Sequence, residues 1–220
     1  MRAETLRMLK EEARAKQVDF DKSRWNCQWY AFGRGAYKDA RYEKSIKLYR
    51  MPNVSDKVVS QVKSGIEQLI GELGLKYEVD CREPNMQVYG TIRNCIEDGV
   101  VNTKELSDRL SDDFEMKVII LDNYLDTGRE NWGKSEFRKG YIFISVPEER
   151  QNDYDFIRQI AKHEAGHLFG YHKHHSDTNV AGYQDSVHCN MNWTAETMKT
   201  CPKCLDAMKS FWNGINEDAM

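Results

Sequence analysis

Hydrophobic and polar residues alternate or recur at regular intervals from about residue 45 onward. Residues 46–49 alternate between apolar and polar side chains, which predicts a β-strand. After Ser55, apolar residues recur at intervals of three and four, which is typical of one face of an amphipathic helix. These residues are Val58, Val59, Val62, Ile66, Leu69, Ile70 and Leu73. Ser55 is a suitable N-cap for this helix, and Gly74 ends it.

The following residues continue as alternating strands and helices. Strand-like segments occur around 75–79 and 86–92, and the apolar runs at 116–122 and 140–146 predict buried strands. Thr103 is a candidate N-cap of a short helix between these two pairs of strands. Strands that alternate with helices indicate an α/β layer.

Two further helices are predicted toward the C-terminus, at 153–170 and from about 202 to 213. The first 44 residues do not continue the α/β pattern, since a short helical pattern is followed by an irregular aromatic stretch. We therefore separate an N-terminal extension, residues 1–44, whose role the sequence does not reveal, from a domain at residues 45–220. Within that domain, a small C-terminal subdomain is expected from about residue 171.

Composition narrows the classes of function. The 220 residues include 32 Lys and Arg against 35 Asp and Glu, with a net charge of -3. Without a basic excess, we expect neither nucleic acid nor an anionic membrane as a partner. No apolar run approaches the roughly 18 residues of a membrane span, and the first residues lack the apolar segment of a secretory signal, so we expect a cytoplasmic protein. The sequence does not indicate an oligomeric state.

The cysteines and histidines are unevenly distributed. In a reducing compartment, the six cysteines are expected to be free or metal-bound rather than paired in three disulfides. Cys27, Cys81 and Cys95 are scattered and are predicted to be plain thiols, although a regulatory role of Cys27 stays open. All six histidines lie between residues 163 and 188, just before the other three cysteines. Imidazole and thiolate are the main zinc ligands, so this region is predicted to bind zinc unless it is merely a histidine-rich surface.

Spacing favours the zinc site. His163 and His167 are four residues apart on a predicted helix, so both imidazoles can bind one zinc ion from the same face. Glu164 lies beside them, where its carboxylate can act as general base and acid on a zinc-bound water, whose pKa falls toward about 7. Gly166 costs the helix roughly 1 kcal/mol relative to Ala, which argues against an ordinary surface helix.

The motif extends further and resembles a known family. Gly170 completes HExxHxxG, and a later Met191 is typical of the Met-turn of metzincins. In detail the chain is similar to the archaemetzincins, in which HExxHxxGxxHC is followed by C-x-M and then by C-x-x-C. Residues 189–191 (Cys-Asn-Met) resemble the C-x-M element, and residues 201–204 (Cys-Pro-Lys-Cys) resemble the C-x-x-C element. The resemblance covers roughly residues 46–213.

This resemblance implies a zinc metalloendopeptidase or aminopeptidase acting on a peptide or protein substrate. The implied fold is an α/β metzincin-like domain with a mixed twisted sheet, an active-site helix and a small zinc-stapled C-terminal subdomain. Two zinc ions are implied, one catalytic and one structural. An edge strand at about 129–136 is expected to bind an extended substrate by β-augmentation.

The remaining zinc ligands depend on the register of the resemblance. The third zinc-binding histidine of the family falls on Lys173, whose ammonium has no lone pair to donate. One extra residue after Gly170 would make His174 the third catalytic ligand. Without it, His174 would align with the structural cysteine of the family, and His172 or a water would complete the catalytic site. We favour the insertion because a catalytic zinc uses three protein ligands and one open position. The structural zinc would then be bound by His175, Cys189, Cys201 and Cys204.

Two other functions stay open at this level. One is a non-catalytic zinc-binding module that recognises peptides in the same cleft, and the other is a hydrolase of a non-peptide amide. An intact Glu164 favours an enzyme, whereas an unusual third ligand would favour the binding module.

Overall fold

The structure, a computed structural model, describes residues 45–82, 86–110, 116–136, 140–169, 189–192 and 197–217, with only the backbone described at 86–87 and 210–217. The predictions made for residues 1–44, for Gly170 and for the histidines at 172, 174 and 175 lie outside the described residues.

Strands and helices alternate along the described chain as expected for an α/β layer. In chain order the elements are β1 (Ser45–Arg50), α1 (Asp56–Leu73), β2 (Glu78–Arg82), α2 (Met86–Arg93), β3 (Ile96–Glu97), β4 (Val100–Val101), α3 (Thr103–Arg109), β5 (Met116–Leu121), β6 (Tyr124–Leu125), β7 (Gly133–Glu136), β8 (Tyr141–Ser145), a 3-10 turn (Glu148–Arg150), α4 (Tyr154–Leu168) and α5 (Pro202–Glu217).

A five-stranded sheet with the order β2-β1-β5-β8-β7 organises the core. Its first four strands run parallel, and β7 pairs antiparallel with β8 at the edge. Every residue of β5 and β8 is buried, so both faces of these central strands are covered, as is typical of parallel sheets. Strands β3, β4 and β6 form a second, small sheet.

Helix α1 begins and ends where the sequence predicts. Ser55 accepts a hydrogen bond from Val58 N at 3.4 Å, and Gly74 adopts a left-handed conformation with φ 70°. Its buried face contains six of the seven apolar residues that the periodicity predicts, and Val59 is half-buried beside them. Local propensity, capping and tertiary packing therefore agree in this helix.

Two local predictions were wrong. The segment around 86–92 is helix α2 rather than a strand, since Val88 and Ile92, four residues apart, both pack on the core.

The N-cap of α3 is Asn102, whose side-chain oxygen accepts from Glu105 N at 3.0 Å. Thr103 does not cap this helix, because its hydroxyl instead donates to Asp126 at 2.6 Å. The strand predicted at 75–79 begins three residues later, at β2.

Close contact between α1 and α4 sets the position of the helix that carries the histidines. A Cβ on Gly65 would lie 2.3 Å from the backbone oxygen of Arg158, so a larger residue would push the two helices apart. Lys162 is fully buried and donates to Glu72 Oε1 at 2.6 Å, which ties α4 to α1. Burial lowers the pKa of Lys162, whereas the hydrogen bond and charge of Glu72 raise it. None of the described helices is both long and apolar enough to cross a membrane.

Candidate zinc sites and active-site cleft

Helix α4 buries one face in the core and presents the HExxH residues beside β7. Ile157, Ala161, Ala165 and Leu168 are buried at helical spacings of three and four. Glu164 and His167 are also buried, at 7% and 6% exposure, whereas His163 is half-buried. The motif is therefore enclosed by the fold, unlike a histidine-rich surface.

The two imidazoles are placed to share one metal ion. Their Nε2 atoms lie 3.1 Å apart, and the rings are nearly perpendicular at 82°. Two nitrogen ligands at 2.0–2.1 Å on a tetrahedral zinc ion are about 3.3 Å apart, so the observed separation fits zinc. His163 Nδ1 lies 2.6 Å from the backbone oxygen of Asn190. As the donor in this contact, Nδ1 carries the proton, and the Nε2 lone pair is left for the metal.

The carboxylate of Glu164 is held by a hydroxyl from the neighbouring strand. Ser135 Oγ donates to Glu164 Oε2 at 2.6 Å and also lies 3.2 Å from the backbone oxygen of Glu164. Burial raises the pKa of Glu164, whereas the charge of His163 and the Ser135 hydrogen bond lower it. A carboxyl group with a raised pKa is suited to exchange protons near neutral pH. Sequence reasoning missed Ser135, which no motif identifies.

Gly133 allows β7 to approach this carboxylate. A Cβ at this position would lie 2.4 Å from Glu164 Oε1 and 2.5 Å from its Cγ. Gly133 and Ser135 alternate with Lys134, so they point to the same face of β7, toward α4. Within the described residues β7 pairs only with β8, which leaves the other edge of β7 without a strand partner. This strand lies within the segment 129–136 that was expected to bind substrate.

A cleft opens between α4 and the segment before β7. It is lined by Trp132, Gly133, Phe156, Ile160, His163 and Glu164, with Asn190 and Asn192 among its polar residues. The Trp132 and Phe156 rings meet edge to face at 6.1 Å, and Arg150 lies over both rings at 4.9 and 5.2 Å. The cleft thus has an apolar wall next to the His163 imidazole.

Three cysteines form a second group of metal-ligand type. Cys189, Cys201 and Cys204 are buried, and their sulfur atoms all lie within 4.8 Å of one another. The sulfurs of Cys189 and Cys204 are 3.7 Å apart, whereas two thiolates at 2.3 Å on a tetrahedral zinc ion are about 3.8 Å apart. A hydrogen bond with the Cys201 thiol raises the pKa of Cys189. The spacing therefore fits a shared zinc ion, and it exceeds the roughly 2.05 Å of a disulfide.

The glycine within the HExxH motif has a packing reason. A Cβ on Gly166 would lie 2.3 Å from the sulfur and 2.7 Å from the terminal methyl of Met191, which is fully buried. The methionine predicted to form the Met-turn therefore packs directly against α4 at Gly166, which lies between the two histidines in the sequence. This contact explains why the helix carries Gly166 despite its low propensity.

The structure brings together five of the seven predicted zinc ligands, in two groups. His163 and His167 form one group, and Cys189, Cys201 and Cys204 form the other. The assignments of His174, His175 and the alternative His172 lie outside the described residues and stay predictions.

Comparison with known proteins agrees with this architecture. The chain is similar to the crystal structure of archaemetzincin from Methanopyrus kandleri, with a TM-score of 0.51 over 77% of this chain and 95% of that chain. Sequence identity between the two is 15%. No protein-family model and no curated protein matches the chain significantly. The structural similarity confirms the archaemetzincin-like α/β fold that the sequence predicted.

Proposed function

We propose that this protein is a zinc-dependent metallopeptidase that hydrolyses peptide bonds, with Glu164 as general base and acid. The observation that carries the proposal is the position of the Glu164 carboxylate. It is buried beside β7, where Ser135 donates a hydrogen bond to it, and next to two imidazoles whose Nε2 atoms are 3.1 Å apart.

The catalytic metal would be held by His163 and His167, with His174 as the third ligand. A zinc ion bound there supplies a Lewis acid that polarises the scissile carbonyl and lowers the pKa of a water toward about 7. The hydrogen bond that His163 Nδ1 donates to the backbone oxygen of Asn190 keeps this imidazole in the tautomer that binds metal.

Glu164 would move the proton. Ser135 occupies Oε2, which leaves Oε1 to take a proton from the attacking water and then to deliver it to the leaving amine. Burial and the Ser135 hydrogen bond act in opposite directions on the pKa of this carboxyl group. We infer that their balance keeps it able to take up and release the proton within one turnover.

The substrate would bind as an additional strand. An extended peptide can pair with the backbone of β7 on the edge opposite β8, because among the described residues no strand pairs there and the amide and carbonyl groups of a strand edge can bond to an added strand. Side chains on one face of such a strand would reach the apolar wall formed by Trp132, Phe156 and Ile160. A cleft that is open at both ends would allow cleavage within a peptide, whereas a cleft closed at one end would restrict the enzyme to terminal residues.

The cysteine group would hold a second, structural zinc ion, with His175 as its fourth ligand. Its thiolates are buried and converge from two parts of the chain, the Cys189 turn and the start of α5. Closed sites of this kind contribute directly to folding.

The proposal is tested on the full-length protein with Glu164→Gln. Peptide turnover is expected to fall by about 10²–10⁴-fold while the zinc content stays unchanged, because Glu164 is a proton carrier and not a ligand. Glu67→Gln, on the exposed face of α1, is the matched control and should keep full activity. Unchanged turnover in Glu164→Gln would refute the proposed mechanism. If the wild type binds zinc and peptides but cleaves none, the non-catalytic peptide-recognition module is the correct function.

A further inference from the structure

Asn190 connects the two groups of metal-ligand residues. It is 1% exposed, follows Cys189 directly and precedes Met191. Its backbone oxygen lies 2.6 Å from His163 Nδ1, the outer nitrogen of a proposed catalytic ligand. One residue thus links the cysteine group to the imidazole pair.

The side chain of Asn190 fixes this backbone against α4. Its Nδ2 donates to the backbone oxygens of Gln159 at 3.1 Å and Thr197 at 3.3 Å. Two carbonyl acceptors at one nitrogen define the orientation of the amide. Gln159 is four residues before His163 on α4, so the side chain and the backbone of Asn190 both form hydrogen bonds with the same turn of this helix.

The segment before Cys201 holds Asn190 from the other side. Asn190 N donates to Lys199 O at 2.7 Å, and Cys201 N donates to Cys189 Sγ at 3.4 Å. Lys162, buried in α4, also donates to the backbone oxygen of Met198. These contacts tie residues 189–190 and 197–201 to each other and to α4, directly beside the three sulfur atoms.

We propose that Asn190 is a positioning residue that couples the cysteine site to the histidine site. A metal ion on Cys189, Cys201 and Cys204 holds Asn190 O at the distance that orients His163 and thereby raises the zinc affinity of the histidine pair. This inference rests on the two metal sites of the proposed function but does not require peptide hydrolysis. Because coupling free energies are reciprocal, metal at the histidines also tightens metal at the cysteines.

Cobalt(II) titration of the full-length protein tests the coupling, since thiolate charge-transfer bands report the cysteine site and the additional d–d absorption that appears without them reports the histidine site. Asn190→Ala is expected to lower cobalt affinity at the histidine site by about 10–100-fold, the usual effect of removing an outer-shell partner. Asn102→Ala, which removes an amide cap from the distant α3, is the matched control and should leave both sites unchanged.

A double-mutant cycle separates coupling from a local effect. In a Cys204→Ser background, Asn190→Ala is expected to have a smaller effect on the histidine site, because the metal-bound cysteines no longer hold Asn190 and only its contacts with Gln159 and Thr197 are lost. Equal losses in both backgrounds would refute the coupling. So would an unchanged histidine-site affinity in Asn190→Ala.

If the variants fail to fold, the coupling can be measured on the wild-type protein by chemical modification of its cysteines. Blocking the cysteines of the cobalt-loaded protein with a methanethiosulfonate should accelerate cobalt release from the histidine site to a chelator. Nitrogen-15 spectra should also show His163 losing its single Nδ1-protonated tautomer. An unchanged release rate and tautomer would overturn the proposal. A loss of peptide turnover alone would not, so the failure of either proposal can be recognised separately.

Discussion

Replacing Gly133 by alanine should impair catalysis more than stability. The new Cβ would lie 2.4 Å from Glu164 Oε1, 2.5 Å from its Cγ and 2.7 Å from its Cδ. Ordinary contacts between such atoms are at least about 3.4 Å, so the carboxylate or the strand has to move by roughly 1 Å. We expect the carboxylate to move, because the backbone of β7 is fixed by its pairing with β8, whereas Glu164 can rotate about its side-chain bonds.

The expected magnitudes follow from that displacement. Overpacking of this kind costs about 1–3 kcal/mol of unfolding free energy. A misplacement of about 1 Å at a reacting group can cost on the order of 10²-fold in rate. Gly133 contributes no ligand atom, so the zinc content should stay at the wild-type level.

Three measurements on the same preparations check this reasoning: kcat/KM on a fluorogenic peptide, zinc content and urea unfolding. Gly71→Ala is the matched control, since a Cβ there meets nothing within 4 Å on the exposed side of α1. This control should keep full activity and gain about 0.4–1 kcal/mol of stability. If Gly133→Ala retains the kcat/KM of the wild type, the placement of Glu164 against β7 does not govern catalysis.

Further predictions concern Ser135, Gly166 and the metal. Ser135→Ala removes a hydrogen bond that lowers the pKa of Glu164, so that pKa should rise and the acidic limb of the kcat/KM profile should move to higher pH. An acidic limb at the wild-type pH would contradict the role of Ser135. Gly166→Ala should destabilise the fold by about 1–3 kcal/mol in urea unfolding despite the better helix propensity of alanine, because its Cβ meets Met191. A gain of stability would show that Met191 moves aside freely. Removing metal with a chelator should lower Tm, since a closed cysteine site contributes to folding. An unchanged Tm would argue against a structural zinc ion.

Local sequence signals predicted the elements whose stability is largely local. Helix α1 has an apolar stripe, an N-cap and a glycine C-cap in one continuous segment, so its bounds can be read directly. The strands β5 and β8 are recognisable as apolar runs because both of their faces are buried. The error at α2 arose in a short segment in which apolar residues fit both periods, and packing of Val88 and Ile92 on the core decided for the helix.

The same distinction applies to the candidate site. The sequence by itself determined the histidine pair and Glu164, because an i,i+4 spacing on a helix places two imidazoles together wherever that helix lies. It also indicated the cysteines through the C-x-x-C spacing. Only the tertiary structure decided which groups surround them. Ser135 reaches Glu164 across 29 positions of the chain, and Asn190 reaches His163 across 27. Such contacts depend on the approach of β7 and the Cys189 turn to α4, and no local pattern encodes that distance.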